Sequence, residues 1–276
     1  MFRRTWLIFL LLLLLPAAVW AQTIPTPGDL PTGRRPNSWH IFNGMAAGLN
    51  GPVLGDVLKV YRKMPWGVGD TLLNCDSHWR AGGQLMTTPA FIRPSVMAGF
   101  SPWLFMDLDV HYGTVINFTE VNFDSYNDSY DAQKPGEPDR YFTLQQQAQA
   151  NLTLKMAAGP IAVLHFTDLD WWLSDDYYFN WEFATVVRDG FSLRNRTFLL
   201  YEFMKNWRIF INYENNNYFE SYYMNELVSS GFVIMHPPWN NFLWLFQLGY
   251  HVHNPDFEGL KVWSAFVMEW DFPDAE

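Results

Sequence analysis

Residues 140–156 alternate almost without a break, and that alternation limits what the chain can become. The odd positions read Tyr141, Thr143, Gln145, Gln147, Gln149, Asn151, Thr153 and Lys155. The even positions read Phe142, Leu144, Gln146, Ala148, Ala150, Leu152, Leu154 and Met156. Every odd side chain carries a polar group, and only Gln146 interrupts the apolar set. Successive side chains of a strand point to opposite faces, so this segment has one wet face and one dry face. A helix would scatter both sets around its axis.

The pattern returns along the chain. Leu104, Met106, Leu108 and Val110 alternate with Phe105, Asp107, Asp109 and His111. Trp181, Phe183 and Val187 alternate with Asn180, Glu182 and Arg188. Trp207, Ile209, Ile211 and Tyr213 oppose Arg208, Asn212 and Glu214, with Phe210 an exception on the wet face. Trp244, Phe246, Leu248, Tyr250 and Val252 oppose Gln247 and His251. Finally Leu260, Val262, Phe266, Met268 and Trp270 oppose Lys261, Glu269 and Asp271. Ser101-Pro102, Ala158-Gly159-Pro160, Asp189-Gly190, Lys205-Asn206 and His236-Pro237-Pro238 are tight breaks between these runs. Longer polar connections fall at residues 119–139, 215–225 and 253–259. Short and long connections alternate except between Arg188 and Asn206, which leaves a count of about 10–12 strands over residues 77–276.

The first residues have a different purpose. Arg3 and Arg4 precede an apolar run over residues 6–15, Pro16 ends it, and Ala17-Ala18-Val19-Trp20-Ala21 follows. This is the form of a secretory signal peptide over residues 1–21, cleaved before Gln22. No later stretch offers 18 consecutive apolar residues, so a membrane crossing downstream would have to use strands. Residues 22–76 read as a Pro/Gly/Thr-rich lead containing one short amphipathic helix within residues 43–64. Val53, Leu54, Val57, Leu58 and Tyr61 recur there at helical spacing, ahead of Pro65.

A leader, no apolar helix downstream and about ten alternating strands together resemble the bacterial outer-membrane β-barrels. The resemblance is to an architectural class, over about 190 residues, and rests on no family motif. It implies an all-β fold: a closed antiparallel up-and-down transmembrane β-barrel of about 10–12 strands with a short N-terminal helix. It also implies a Gram-negative outer-membrane location and, as partners, outer-membrane lipids and the barrel-insertion machinery. Barrels of this class end on an aromatic residue, whereas here Phe272 is followed by Pro273 and three more residues.

A soluble barrel would turn the same apolar stripes inward, but composition favours lipid. Charged residues make up only 17% of the chain, and there are 14 Trp, 13 Tyr and 23 Phe. The polar stripes use Gln, Asn and Thr heavily where a water-facing surface would carry more Lys and Glu. Tyr141, Trp171, Trp172, Trp207, Tyr213, Trp239, Trp263 and Trp270 sit near strand ends, as membrane-interface belts require. The formal net charge of −10 argues against a nucleic-acid partner. The lone Cys75 excludes an internal disulfide and any cysteine-cluster metal site.

With polar stripes turned inward, the lumen candidates are Asp107, Asp109, His111, Gln145, Gln147, Gln149, Asn151, Lys155, Glu182, Arg194, Arg196, Arg208, Asn212 and Glu214. Both signs of charge are present, which suits a small channel or transporter for polar solutes. The same Arg and Glu residues could instead simply pair and fill the barrel. A non-transporting barrel that binds a partner is the alternative, helped by the acidic segment 119–139. A lipid-hydrolysing barrel is a further one: His78, His111, His165, His251 and His253 are available, with Ser264 on a neighbouring strand. None of these histidines is followed by the Ser-Asn-Gly pattern of the barrel phospholipases, so no catalytic residue is assigned. His251-Val252-His253 with Asp256 supplies too few ligands for a metal site. No cofactor is implied.

Overall fold

Strands that are dry on one face and wet on the other need a partner for every backbone edge, and closing the sheet on itself removes the edges altogether. The computed structural model shows that solution. It describes residues 37–49, 54–66, 77–89, 91–117, 143–173, 178–180, 185–187, 190–219, 223–235, 242–253 and 259–273. Seven strands come first: β1 (Ser38–Leu49), β2 (Leu54–Pro65), β3 (His78–Thr87), β4 (Phe91–Trp103), β5 (Met106–Asn117), β6 (Thr143–Ala158) and β7 (Ile161–Leu173). A short pair follows, β8 (Tyr178–Asn180) and β9 (Thr185–Val187). The rest are β10 (Gly190–Met204), β11 (Trp207–Tyr218), β12 (Tyr223–Met235), β13 (Phe242–His253) and β14 (Gly259–Pro273). Twelve of them form a closed barrel in the order β1-β14-β13-β12-β11-β10-β7-β6-β5-β4-β3-β2, every neighbour antiparallel. β8 and β9 pair only with each other.

The β8–β9 hairpin explains the slip in connection length between Arg188 and Asn206. The alternation read around Asn180 belongs partly to this side hairpin, not to a barrel crossing. β7 continues directly into register with β10, from Gly190 opposite Trp172 to Tyr201 opposite Ile161.

The expected helix is corrected. Its described part, Leu54 through Tyr61, lies in β2, bonded on one side to β1 and on the other to β3. Helical spacing arose because apolar residues sit on both faces of this strand. Leu54 and Val60 face out and are exposed, while Tyr61 faces in and is buried. β-Branched Val57 and Val60 suit a strand better than a helix. The barrel therefore begins at Ser38, well ahead of residue 77, and β1 closes it by pairing with β14. The leader, the lead up to residue 36, and Val53 lie outside the described residues.

The barrel has two distinct ends. At the near end the chain enters β1 and leaves β14, and two-residue turns join β4–β5, β6–β7 and β10–β11. Gly159 (φ 58°) and Asn206 (φ 67°) supply the left-handed residues that two such turns use. At the far end lie the longer connections over residues 118–142 and 174–189.

Side-chain polarity is inverted relative to a water-soluble barrel. Val96 (64% exposed), Ile211 (60%) and Leu144 (60%) stand on the outer wall. Asp168, Asp170, Asn212 and Gln145 are buried inside it. An outer wall of this kind matches acyl chains and an inner one matches water or polar solute, which makes this a membrane β-barrel.

Candidate functional site

The inner wall is built from one parity of every strand. Asp107, Asp109 and His111 face inward from β5, and Gln145, Gln147, Gln149, Asn151 and Lys155 from β6. Arg194 and Arg196 face inward from β10, and Arg208, Asn212 and Glu214 from β11. Glu182 lies outside the described residues.

Further charged residues join them that alternation alone did not single out, among them Arg80 on β3, Arg93 on β4, and Asp168 and Asp170 on β7. Arg80 holds Asp109 through two bonds, Nε to Oδ1 at 2.6 Å and Nη2 to Oδ2 at 2.9 Å. Next to that fork, Asp107 accepts from Ser101 Oγ at 2.5 Å and pairs with Lys155. Farther along, Arg93 Nη1 donates to Gln147 Oε1 at 2.5 Å, and Gln147 Nε2 donates to Asp170 Oδ1 at 2.6 Å. Asp168 gathers the most partners. One of its oxygens takes Arg194 Nη2 at 3.1 Å and Arg196 Nη2 at 2.9 Å; the other takes Asn151 Nδ2 at 2.8 Å. Glu214 stands directly opposite Arg196 on β11, within electrostatic reach of Arg194 and Lys261.

The reason Asp168 and Asp170 escaped the pattern is local. β7 carries polar groups on both faces, because His165 and Thr167 occupy the opposite parity from Asp168 and Asp170. Period-two reading needs one dry stripe, and here neither stripe is dry.

The inner wall is not polar throughout. Near the turn end of β7 and β10 to β13, Leu200, Phe210 and Val233 are buried together inside the barrel. Ala162, Leu164, Phe198, Leu243 and Leu245 pack on them. Gly231 lies directly opposite Phe210, and a Cβ there would come within 2.9 Å of the Phe210 ring. The exception noted at Phe210 is therefore the centre of an apolar patch. Arg196 bridges the two regions, bound to Asp168 and seated over the Phe166 ring at 5.3 Å.

Among the described residues, Asn151 Oδ1, Asn212 Oδ1 and Asn216 Oδ1 are buried without a hydrogen-bond partner. Buried polar atoms without a protein partner are places where water or a solute hydroxyl binds.

The aromatic residues divide. Trp171, Trp207, Tyr213 and Trp270 are exposed on the outer wall. Trp172 is buried inside, with its indole N–H 3.4 Å from Ser192 Oγ. Trp171 and Trp172 are adjacent in one strand, so only one of them can face lipid. Trp263 shares the inward parity of Ala265 and stands opposite inward Gly48. These two are corrections to the expected belt. Tyr141 and Trp239 lie outside the described residues. Trp39, Trp79 and Trp103, all exposed near the turn end, extend the belt there.

No family model matches the chain, and no curated protein matches it in sequence. Solved structures do match in outline. The beta domain of the Bordetella autotransporter Brka is 10% identical with a TM-score of 0.47, over 84% of this chain and 98% of that one. An outer membrane channel from Pseudomonas putida F1 is 10% identical with a TM-score of 0.43, over 87% and 97%. The NanC porin is 9% identical with a TM-score of 0.40, over 85% and 100%. These are likenesses of barrel outline.

Proposed function

We propose that the chain is exported by a cleaved leader, inserted by the barrel-insertion machinery, and surrounded by outer-membrane lipid. Inside, it acts as a narrow channel for polar solutes. The observation that carries the reading is the charged inner wall formed by β3 to β7 and β10. Carboxylates and guanidinium groups stand there within one lumen, arranged to orient a solute that both donates and accepts hydrogen bonds. The unpartnered amide oxygens of Asn212 and Asn216 add docking points on β11, the strand next to β10. Lumen contact by Asp107, Asp109, His111, Gln149, Lys155 and Arg208 belongs to the same proposal.

A second reading has its own observation. The Leu200–Phe210–Val233 patch fills part of the lumen near the turn end, as it would in a barrel that holds partners without passing solute. Planar-bilayer recording of the purified mature protein separates the two. A channel gives discrete conductance steps whose cation/anion preference changes in Asp168→Asn. An absence of steps, with heat-modifiable gel mobility intact, removes the channel and favours the filled barrel.

A further inference from the structure

A polar cluster lies on the lipid side of the wall. His165 and Thr167 share the outward parity of exposed Ile161, Leu169 and Trp171 on β7. Asn195 and Thr197 share that of exposed Phe191, Leu199 and Tyr201 on β10. The four stand in two directly opposed pairs, His165 with Thr197 and Thr167 with Asn195. Along both strands apolar side chains flank the cluster on either side, so it sits at mid-crossing, at the depth of acyl chains.

No water reaches that depth, so a polar group there is satisfied within its own wall, completed by another chain, or costly. The cluster nearly satisfies itself. Thr167 Oγ1 donates to Asn195 Oδ1 at 2.9 Å. His165 Nε2 lies 3.0 Å from Thr167 Oγ1, and His165 Nδ1 lies 2.8 Å from Thr197 Oγ1. A neutral imidazole with its proton on Nε2 closes the chain: Nε2–H donates to Thr167, and the Thr197 hydroxyl donates to Nδ1. What remains is Asn195 Nδ2, whose two N–H groups have no partner among the described residues. Its neighbour across the other ladder is Asn215, but the Asn215 side-chain oxygen accepts from Asn217 instead.

We propose that this face of β7 and β10 joins two copies of the chain in the membrane, about a two-fold axis at Asn195. Acyl chains offer no acceptor to the leftover amide, whereas a carboxamide carries both a donor and an acceptor and is its own complement. Copies inserted the same way hold Asn195 at equal depth, so a two-fold axis along the membrane normal brings the two amides together. Each Nδ2 then donates to the Oδ1 of the other copy, which keeps a second lone pair beside the one Thr167 occupies. Barrel strands tilt by about 35–45°, so the two β10 strands cross steeply and the contact centres on one residue. Outward Leu169, Leu193 and Leu199 surround it and exclude lipid from the paired amides. On β6, outward Ala148 and Ala150 stand opposite Trp171 and Leu169 and keep the wall low beside the cluster. Small side chains of this kind let two walls approach closely in lipid. The contact is independent of the lumen, and it stands or falls apart from conduction.

The test uses the mature full-length protein in detergent micelles and in lipid vesicles. Sedimentation equilibrium in density-matched micelles should give a dimer for the wild type. Association should weaken about tenfold or more in Asn195→Leu. In vesicles, on a Cys75→Ser background, Leu193→Cys should be joined to its copy by a short bis-maleimide. Val60→Cys, exposed on β2 across the barrel from β10, should not be joined. Heat-modifiable mobility checks that each variant is folded, and the conductance of Asn195→Leu should equal that of the wild type. A folded wild type that stays monomeric in both media, or a dimer unchanged by Asn195→Leu, overturns the proposal. So does cross-linking at Val60→Cys and not at Leu193→Cys. A monomer that retains lipid on this face also overturns it and assigns the face to lipid.

Discussion

One lumen is lined by two kinds of wall. From β3 to β7 and onto β10, inward side chains are charged and bonded to one another across strands. Toward the turn end, from β10 to β13, they are Phe, Leu and Val packed without polar contact. Both regions remove side chains from water, but they do so by different physics. The apolar patch gains roughly in proportion to the surface it buries. The charged wall gains little or nothing net, because desolvation offsets attraction; its strength appears only when a partner is missing. Stability should therefore respond asymmetrically to equivalent truncations, and selectivity should respond on the charged side alone.

The largest effect is expected at Asp168. Its carboxylate is buried and holds Arg194, Arg196 and Asn151. Asp168→Ala leaves two guanidinium groups without their shared anion and should cost about 3–5 kcal/mol. Urea unfolding in lipid vesicles measures it. Asp168→Asn, which keeps shape and part of the bonding, should cost clearly less. If the two variants are equal, the cost lies in packing and the contrast between the walls fails.

The same contrast governs what could be read from sequence. Strands with one dry stripe were legible: β5, β6, β11, β13 and β14 follow from alternation, and Gly159 and Asn206 from turn chemistry. β2 was not, because Leu54 and Val60 face lipid while Val57 and Tyr61 face inward, and apolar residues on both faces imitate a helix. β7 failed for the opposite reason, with polar residues on both faces. That one strand hid Asp168 and Asp170 inside and His165 and Thr167 outside. Their partners on β10 are non-local, and no spacing rule links residue 165 to residue 197. Arg80 likewise finds Asp109 only through β4, which lies between them in the barrel.

On the apolar wall, shape replaces charge, and Gly231 is the position that tests it. Because a Cβ there would meet both the Phe210 ring and the Phe246 backbone carbonyl, Gly231→Ala should cost about 1–3 kcal/mol through overpacking. Conductance preference for cations or anions should not move. A change in that preference would mean that the apolar patch faces the permeation path as directly as the ion pairs do.

The smallest effect belongs to Arg208 and Glu202, and it marks where the charged wall's rule stops applying. They face each other across the turn joining β10 and β11, with both Nε and Nη2 on one oxygen at 2.9 and 2.8 Å. The geometry rivals that of Arg80 and Asp109, yet each side chain is about one third exposed, at 33% and 34%. Water and salt near the rim screen such a pair, so a double-mutant cycle with Arg208→Ala and Glu202→Ala should give a coupling below about 1 kcal/mol. Raising the salt concentration should shrink it further, while the Asp168 variants hold their values. A coupling several-fold larger at Arg208–Glu202, insensitive to salt, would place that rim in a dry environment and extend the charged wall to the end of the barrel.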